Sequence, residues 1–236
     1  MKARLSVTIG DMPELPDIVI YIERLEPRIV GQRLSRIRLA SPFLLQSVTP
    51  PLREAEGKRV LELRRLGKRV VFGMDEELFL VFHLMIAGRF RWREPGATQP
   101  PKVGLAAFDF DPGVLLLTEV GSKKRATLNV VRGEESLRAL DPGGLDVLTA
   151  DLSSFGAALT RENHTLKRAL TDPRLFSGIG NAYSDEILHR ARLSPVVLTG
   201  RLGESEVRAL LRRRRAPCAN GQKPFDEKSE TAFPSG

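Results

Sequence analysis

One stretch decides the fold of the second half of the chain, because it joins two helical segments through a glycine-rich turn. It reads Pro173-Arg174-Leu175-Phe176-Ser177-Gly178-Ile179-Gly180-Asn181. We predict helices over Asn163–Asp172 before it and Ala182–Arg192 after it. Gly178 and Gly180 allow positive φ and close approach to a ligand. The second helix would offer free N–H groups and its dipole to a phosphate, with Asn181 as a further donor. The alternative is a plain helical hairpin whose glycines only permit the turn.

The first half of the chain has a different sequence pattern, in which short apolar runs alternate with turn residues. A helix is expected over residues 18–30, where apolar residues recur at helical spacing. Strands are then predicted at Leu34–Leu39, Arg59–Arg64, Val70–Met74, Leu78–Leu84, Gly88–Trp92, Leu105–Phe110, Val114–Thr118 and Ala126–Val131. Many short strands at this spacing favour an antiparallel sandwich or barrel.

The run Asp141-Pro142-Gly143-Gly144 marks the predicted domain boundary, because the sequence beyond it becomes helical. The helices expected there are Ser153–Leu159, Leu166–Thr171, Ala182–Ala191 and Glu204–Arg215. We divide the chain into an extension over residues 1–11, an N-terminal domain over 12–140, a helical domain over 145–215 and a tail over 216–236. The extension is expected to be disordered or to stem from an upstream start codon. The tail is polar and shows no period, so it is expected to be disordered or aberrant.

The composition indicates a polyanionic partner. The chain has 236 residues and a formal net charge of +8, and such an excess of Lys and Arg most often serves nucleic-acid binding. A basic protein without such a partner is the alternative. The single cysteine, Cys218, excludes a disulfide framework and a multi-cysteine metal site within this sequence. Because there is no apolar run of membrane-spanning length and no secretory signal, a cytoplasmic location without membrane contact is expected.

Three motifs appear in order along the chain. They are Pro13-Glu14-Leu15-Pro16, Arg64-Arg65-Leu66-Gly67-Lys68 and Gly178-Ile179-Gly180-Asn181-Ala182-Tyr183-Ser184-Asp185-Glu186. Together they resemble the formamidopyrimidine-DNA glycosylase / endonuclease VIII family, from about Met12 to about Leu211. The resemblance implies an α+β fold, in which an N-terminal antiparallel β-sandwich with flanking helices precedes a helix–two-turn–helix domain. It also implies an enzyme of base excision repair that removes oxidised bases from double-stranded DNA and nicks the abasic strand. We expect a monomer.

The resemblance assigns roles to the matching residues. Pro13 would be the nucleophile whose amine attacks C1′ of the damaged nucleotide and forms a Schiff base. Glu14 would be the acid that helps to open the sugar ring, and Lys68 would hold the phosphate beside the lesion and assist β-elimination. The expected DNA-binding residues are His83, Lys123, Lys124, Lys167, Gly178, Gly180 and Asn181. Because the target base must leave the stack, base flipping is expected.

Each role has a simpler alternative that the residues alone leave open. Pro13 could merely rigidify the N-terminal segment, and Glu14 and Lys68 could be solvated surface charges. His83 could be a satisfied core histidine, and the run Lys123-Lys124-Arg125 could be a solvated face. The alternative function is a non-catalytic protein that binds damaged or structured nucleic acid through the glycine turn.

The sequence departs from the family pattern in three places. Eleven residues precede Met12, and Pro13 can form an imine only as the first residue, since amide resonance takes the lone pair of a peptide nitrogen. The family's usual four-cysteine zinc finger has no counterpart, because Cys218 has no partner cysteine, so we expect no zinc or other cofactor. Ile86 and the segment Gly121–Ala126 replace intercalating residues, which leaves open the preference between oxidised purines and oxidised pyrimidines.

Overall fold

The computed structural model describes residues 12–213, so the predicted extension and tail lie outside the described part of the chain. The helices are α1 (Leu15–Ile29), α2 (Glu134–Arg138), α3 (Leu152–Thr160), α4 (Leu166–Thr171), α5 (Asn181–Ala191) and α6 (Glu204–Arg213). The strands are β1 (Leu34–Leu39), β2 (Val60–Leu66), β3 (Arg69–Met74), β4 (Leu78–His83), β5 (Gly88–Arg93), β6 (Gly104–Phe110), β7 (Gly113–Glu119), β8 (Thr127–Arg132), β9 (Leu145–Asp146) and β10 (Phe176–Ser177). Within residues 12–213, every helix is too short or too polar to cross a membrane.

Strands β1 to β8 form an antiparallel sandwich, which confirms the predicted α+β class. One four-stranded sheet has the order β1-β6-β7-β5 and the other has the order β2-β3-β4-β8. Between the sheets, the ring of Phe82 meets those of Phe90 and Phe108 edge to face, each at 5.2 Å between centroids. These rings come from both sheets, so aromatic side chains fill the space between the two layers.

The β2–β3 hairpin holds Lys68 at its tip. Leu66 pairs with Arg69 in the antiparallel register, which leaves Gly67 and Lys68 as a two-residue loop. Gly67 has a φ of 62°, and glycine at the first loop position is typical of tight hairpins of this length. The hairpin therefore presents the lysine at a fixed place at the end of the sheet.

Helices α3 to α6 form the second unit, around a core that contains Phe155 and Phe176. The ring centroids of these two residues lie 4.8 Å apart. A short parallel pair, β9 with β10, ties the start of this unit to the turn before α5. Neither this pair nor helix α2 is predicted by the sequence, because two to five residues are too few to show a period.

Of the two ranges predicted for the first helix of the turn motif, the one that begins at Asn163 is wrong, whereas Leu166–Thr171 matches the structure. Helix α4 begins at Leu166. Thr165 is instead extended and forms an isolated bridge with Leu198, so the chain before α4 is held by a β-type contact. The second helix ends at Ala191, as in the shorter of its two predicted ranges and not at Arg192, because Arg192 adopts the left-handed conformation with a φ of 57°.

Helix α1 packs into two cores at once. Ile18, Tyr21, Leu25 and Ile29 belong to the core of the sandwich. Leu15, at the start of the same helix, belongs to the core of the second unit. The first residues of α1 and those just before it therefore lie at the junction between the two units.

Candidate active site and DNA interface

Pro13 and Glu14 lie at this junction, immediately before α1. Pro13 is buried, and only 4% of Glu14 is exposed. The backbone N–H of Glu14 donates to Asp17 Oδ2 at 2.9 Å, which fixes the entry into α1 in the manner of a capping box. The N–H of Leu15 donates to the carbonyl of Gly178 at 2.9 Å. The start of α1 is thus hydrogen-bonded directly to the glycine turn.

The Glu14 carboxylate caps helix α5 from outside that helix. Oε2 accepts from the N–H groups of Gly180 at 2.8 Å and Tyr183 at 2.9 Å, and Oε1 accepts from that of Ala182 at 3.0 Å. These donors are the N–H groups that a helix N-terminus leaves without an internal partner. Glu14 is therefore not a solvated surface charge.

This arrangement changes the expectation that free N–H groups of α5 bind a phosphate. Three of those groups donate to Glu14, because a buried carboxylate already lies at the positive end of the helix. Among the residues predicted to bind phosphate there, Asn181 has an exposed side chain at the first position of α5. Gly178 and Gly180 are buried.

The side-chain ends of Lys68 and Glu14 both lie close to Gly180. A Cβ atom built on Gly180 would lie 2.3 Å from Glu14 Oε1 and 2.8 Å from Lys68 Nζ, so it would displace the ends of both side chains. Gly178 has a φ of 88°, a conformation that glycine adopts without strain. The two glycines are thus needed for close approach as well as for the turn. The structure brings together three segments that are far apart in sequence.

His83 lies beside Lys68, at the end of β4. It pairs with Arg69 in the register of β3 and β4. Burial, followed by the positive charges of Arg69 and Lys68, lowers the pKa of His83 from its ordinary 6.5 to about 4. Its Nε2 atom is buried and accepts or donates no hydrogen bond within residues 12–213. His83 is thus a neutral, half-buried imidazole next to two cations.

We expect the free energy of unfolding to depend on pH through His83. The unfolded side chain takes up a proton below about pH 6.5, whereas the folded one does so only near pH 4. Stability from this group is therefore complete above pH 6.5 and is lost at up to about 1.4 kcal/mol per pH unit as the pH falls. Urea unfolding at pH 7 and pH 5 should show a smaller loss for His83→Gln than for the unaltered chain. Equal losses would show that His83 is already solvated in the folded state.

The remaining predicted DNA contacts are lysines, and two of them are bound to the protein itself. Lys167 Nζ donates to the carbonyl of Asn181 at 2.5 Å and lies 2.5 Å from Asp185 Oδ1, so it joins α4 to α5. Lys124 Nζ donates to the carbonyl of Glu119. Lys123 is exposed. Of the three, Lys123 is placed best for a contact with DNA; the roles of all three stay predictions.

Two further residues shape the site without having been assigned a role from the sequence. Glu119 is 1% exposed and accepts from the backbone N–H groups of Arg125 and Ala126. It thereby fixes the end of the basic run Lys123-Lys124-Arg125. Arg65 connects β2 to the second unit. Arg65 stands within a quoted motif, but charge and spacing do not reveal its contacts with Asp146 and Ser177, which are more than 80 residues away.

The residues present do not fit the zinc ion usual in the family resembled. The whole sequence has one cysteine, where a four-cysteine site needs four. The described region, residues 12–213, contains no cluster of three or more His, Cys, Asp or Glu side chains that could hold a metal ion. The absence of a cofactor stays a prediction, and no chemical step is assigned to a metal.

The family models that match the chain cover most of the described region. The formamidopyrimidine-DNA glycosylase N-terminal domain matches residues 12–126, and the formamidopyrimidine-DNA glycosylase H2TH domain matches residues 144–216. Among solved structures, the MutM (Fpg) protein from Thermus thermophilus is 32% identical with a TM-score of 0.73, over 86% of this chain and 73% of that one. A complex between the Lactococcus lactis Fpg and an abasic site containing DNA is 27% identical with a TM-score of 0.77, over 85% and 76% of the two chains.

Curated relatives give the same assignment. The formamidopyrimidine-DNA glycosylase of Heliobacterium modesticaldum is 33% identical over 208 residues, which cover 84% of this chain and 74% of the relative. That of Thermus thermophilus is 33% identical over 206 residues, which cover 85% and 72%. With both family models and these relatives in agreement with the predicted resemblance, the chain belongs to the formamidopyrimidine-DNA glycosylase family.

Proposed function

We propose that this chain is a DNA glycosylase with abasic-site lyase activity that acts on damaged double-stranded DNA in base excision repair. The observation that carries the proposal is the convergence of the Pro13-Glu14 segment, the Lys68 hairpin and the glycine turn at one junction. Solved neighbours hold DNA that contains an abasic site or Fapy-dG, which supports damaged DNA as the partner. A cytoplasmic location and a monomeric state are part of the proposal.

In the proposed reaction the nitrogen of Pro13 is the nucleophile. Its lone pair attacks C1′ of the damaged nucleotide, and the bond from C1′ to the base breaks with its electron pair going to the base, which takes up a proton. Opening of the sugar ring then gives an iminium ion on Pro13. Loss of a proton from C2′ expels the 3′ phosphate, which is β-elimination and nicks the strand. A free α-amine titrates near pH 8, so an unprotonated fraction is present near neutrality.

The surrounding residues are proposed to hold the reactants and move protons. Glu14 fixes the start of α1 against α5 through three N–H groups and would supply a proton to the opening sugar ring when it is itself protonated. Lys68 would bind the phosphate next to the lesion, and the exposed Asn181 side chain would bind the same stretch of backbone. No cofactor is required for these steps.

The test is strand nicking at an abasic site in duplex DNA, with two forms of the chain. One form begins at Pro13, and the other keeps Met12 and so has an amide at the proline nitrogen. We expect the first form to nick the strand and the second to bind the same duplex but nick it at least about 10²-fold more slowly, because the covalent route is closed. Nicking by both forms at the same rate would contradict the role of Pro13.

A second candidate function has one observation in its favour, which is that twelve residues precede Pro13 in the sequence. A chain that keeps them has no amine at this position, and would be a binder of damaged DNA without lyase chemistry. In the same assay such a protein binds the abasic duplex, with an affinity that falls as salt rises, yet neither form nicks it.

A further inference from the structure

The Arg65 side chain crosses from the sandwich to the second unit. It lies on β2, three residues before Lys68, and is 10% exposed. Its Nη2 atom lies 2.6 Å from Asp146 Oδ1. Its Nη1 atom donates to Ser177 Oγ at 3.2 Å and to the carbonyl of Gly67 at 3.1 Å. One guanidinium thus binds three acceptors in three different segments.

These partners lie on either side of the candidate active site. Gly67 is the residue before Lys68 in the hairpin loop. Asp146 and Ser177 are directly paired in the parallel strands β9 and β10, and Ser177 is followed by the glycine turn. A Cβ atom built on Gly178 would lie 3.0 Å from Arg65 Nη1, so the guanidinium also packs against the turn itself.

The chemistry of the guanidinium suits this role. Its N–H groups form a planar, rigid fork, so three acceptors held at once fix the hairpin and the strand pair in one relative orientation. A lysine ammonium is a point charge and does not reproduce such a fork. With its donors bound to protein and little of its surface exposed, Arg65 is poorly placed to bind a DNA phosphate.

We propose that Arg65 is a positioning residue that sets Lys68 and the glycine turn at their working distance from the Pro13-Glu14 segment. This inference rests on the proposed function. Arg65 itself touches neither the sugar nor the base; it acts through Gly67, Asp146 and Ser177. Loss of its side chain should therefore slow the chemical step more than it weakens DNA binding, because Lys68 and the glycine turn are displaced but still present.

The test compares Arg65→Ala and Arg65→Lys with the neighbouring Arg64→Ala. Arg64 is a matched control, because its guanidinium lies 2.6 Å from Glu134 Oε1 and all of its contacts stay within the sandwich unit. In the form that begins at Pro13, we expect Arg65→Ala to lower the single-turnover nicking rate on abasic DNA by about 10²-fold, as misplacement of about 1 Å can do. The Kd for a duplex with an uncleavable tetrahydrofuran site should rise by a much smaller factor than the rate falls, because Lys68 and Asn181 are displaced and not removed. Arg65→Lys should lose less, and guanidinium ion should restore part of the Arg65→Ala rate.

A second measurement does not depend on catalysis. Hydrogen exchange of the amides of Gly180, Ala182 and Tyr183, which donate to Glu14, should be about tenfold faster in Arg65→Ala than in Arg64→Ala. Unchanged exchange and rate, an equal loss in Arg64→Ala, or a loss confined to Kd would overturn the positioning role. If the unaltered protein does not nick but the exchange still responds, the proposed function fails while Arg65 keeps its place as the link between the two units.

Discussion

Glu14→Gln is expected to lower the rate of strand nicking at an abasic site by about 10²- to 10⁴-fold, the range that a positioned acid contributes. The carboxylate accepts three backbone N–H groups with its two oxygens. A Gln amide has one oxygen and one NH₂ group, so at least one N–H of α5 would face a donor. We also expect a loss of about 1–3 kcal/mol in the free energy of unfolding, measured by urea denaturation.

Asp151→Asn is the control for this prediction, because Asp151 is also a carboxylate at a helix N-terminus. It caps α3 through the N–H of Ser154 at 2.7 Å, and its side chain also accepts from the Ser154 hydroxyl. This variant should lose little stability and keep its nicking rate, because Asp151 is exposed and Asn is also a good N-cap residue. If Asp151→Asn and Glu14→Gln lose activity equally, the effect of Glu14 is one of general stability and the acid role is wrong.

Gly180→Ala is the second change with a large expected effect. The new Cβ atom would lie 2.3 Å from Glu14 Oε1 and 2.8 Å from Lys68 Nζ, so both side chains must move away from it. We expect nicking to fall by about 10²-fold, because small displacements of catalytic groups have effects of that size. The overpacking itself should cost about 1–3 kcal/mol of stability, measured by urea denaturation.

Gly156→Ala provides a matched control for the same substitution at another glycine. Gly156 lies inside α3, and a Cβ atom there would make an ordinary contact with Val207 Cγ1 at 3.6 Å. Because alanine is a better helix former, the variant should gain about 0.5–1 kcal/mol of stability and nick at the unaltered rate. An active Gly180→Ala protein would show that Glu14 and Lys68 need not lie at this turn during the reaction.

The sandwich could be predicted from the sequence because each of its strands carries a local signal. The eight strands from β1 to β8 were predicted to within two residues at either end, since apolar runs and turn glycines coincide there. The range Leu166–Thr171 predicted for α4 is also the observed one, whereas the longer range from Asn163 is wrong. Thr165 is compatible with a helix by propensity, and only its bridge to Leu198, 33 residues later, holds it in an extended conformation.

The contacts that build the site carry no local signal. The motif around Glu14 identifies it as a candidate catalytic residue. Its three N–H donors, however, lie at the N-terminus of α5, and the first of them is 166 residues away. The sequence does not indicate that three of the N–H groups at this helix N-terminus donate to the protein's own carboxylate, and phosphate binding by Asn181 stays a prediction. The contacts of Arg65 with Asp146 and Ser177 likewise form only when the two units pack together.

Borohydride trapping on duplex DNA with an abasic site measures the central claim directly, because it reduces an iminium between amine and sugar to a stable bond. The protein that begins at Pro13 is incubated with the duplex and reductant, digested, and the cross-linked peptide is located by mass spectrometry. We expect one adduct, on the nitrogen of Pro13, and no adduct when Met12 is retained. An adduct on another residue, or none from a protein that binds the duplex, would show that Pro13 is not the nucleophile.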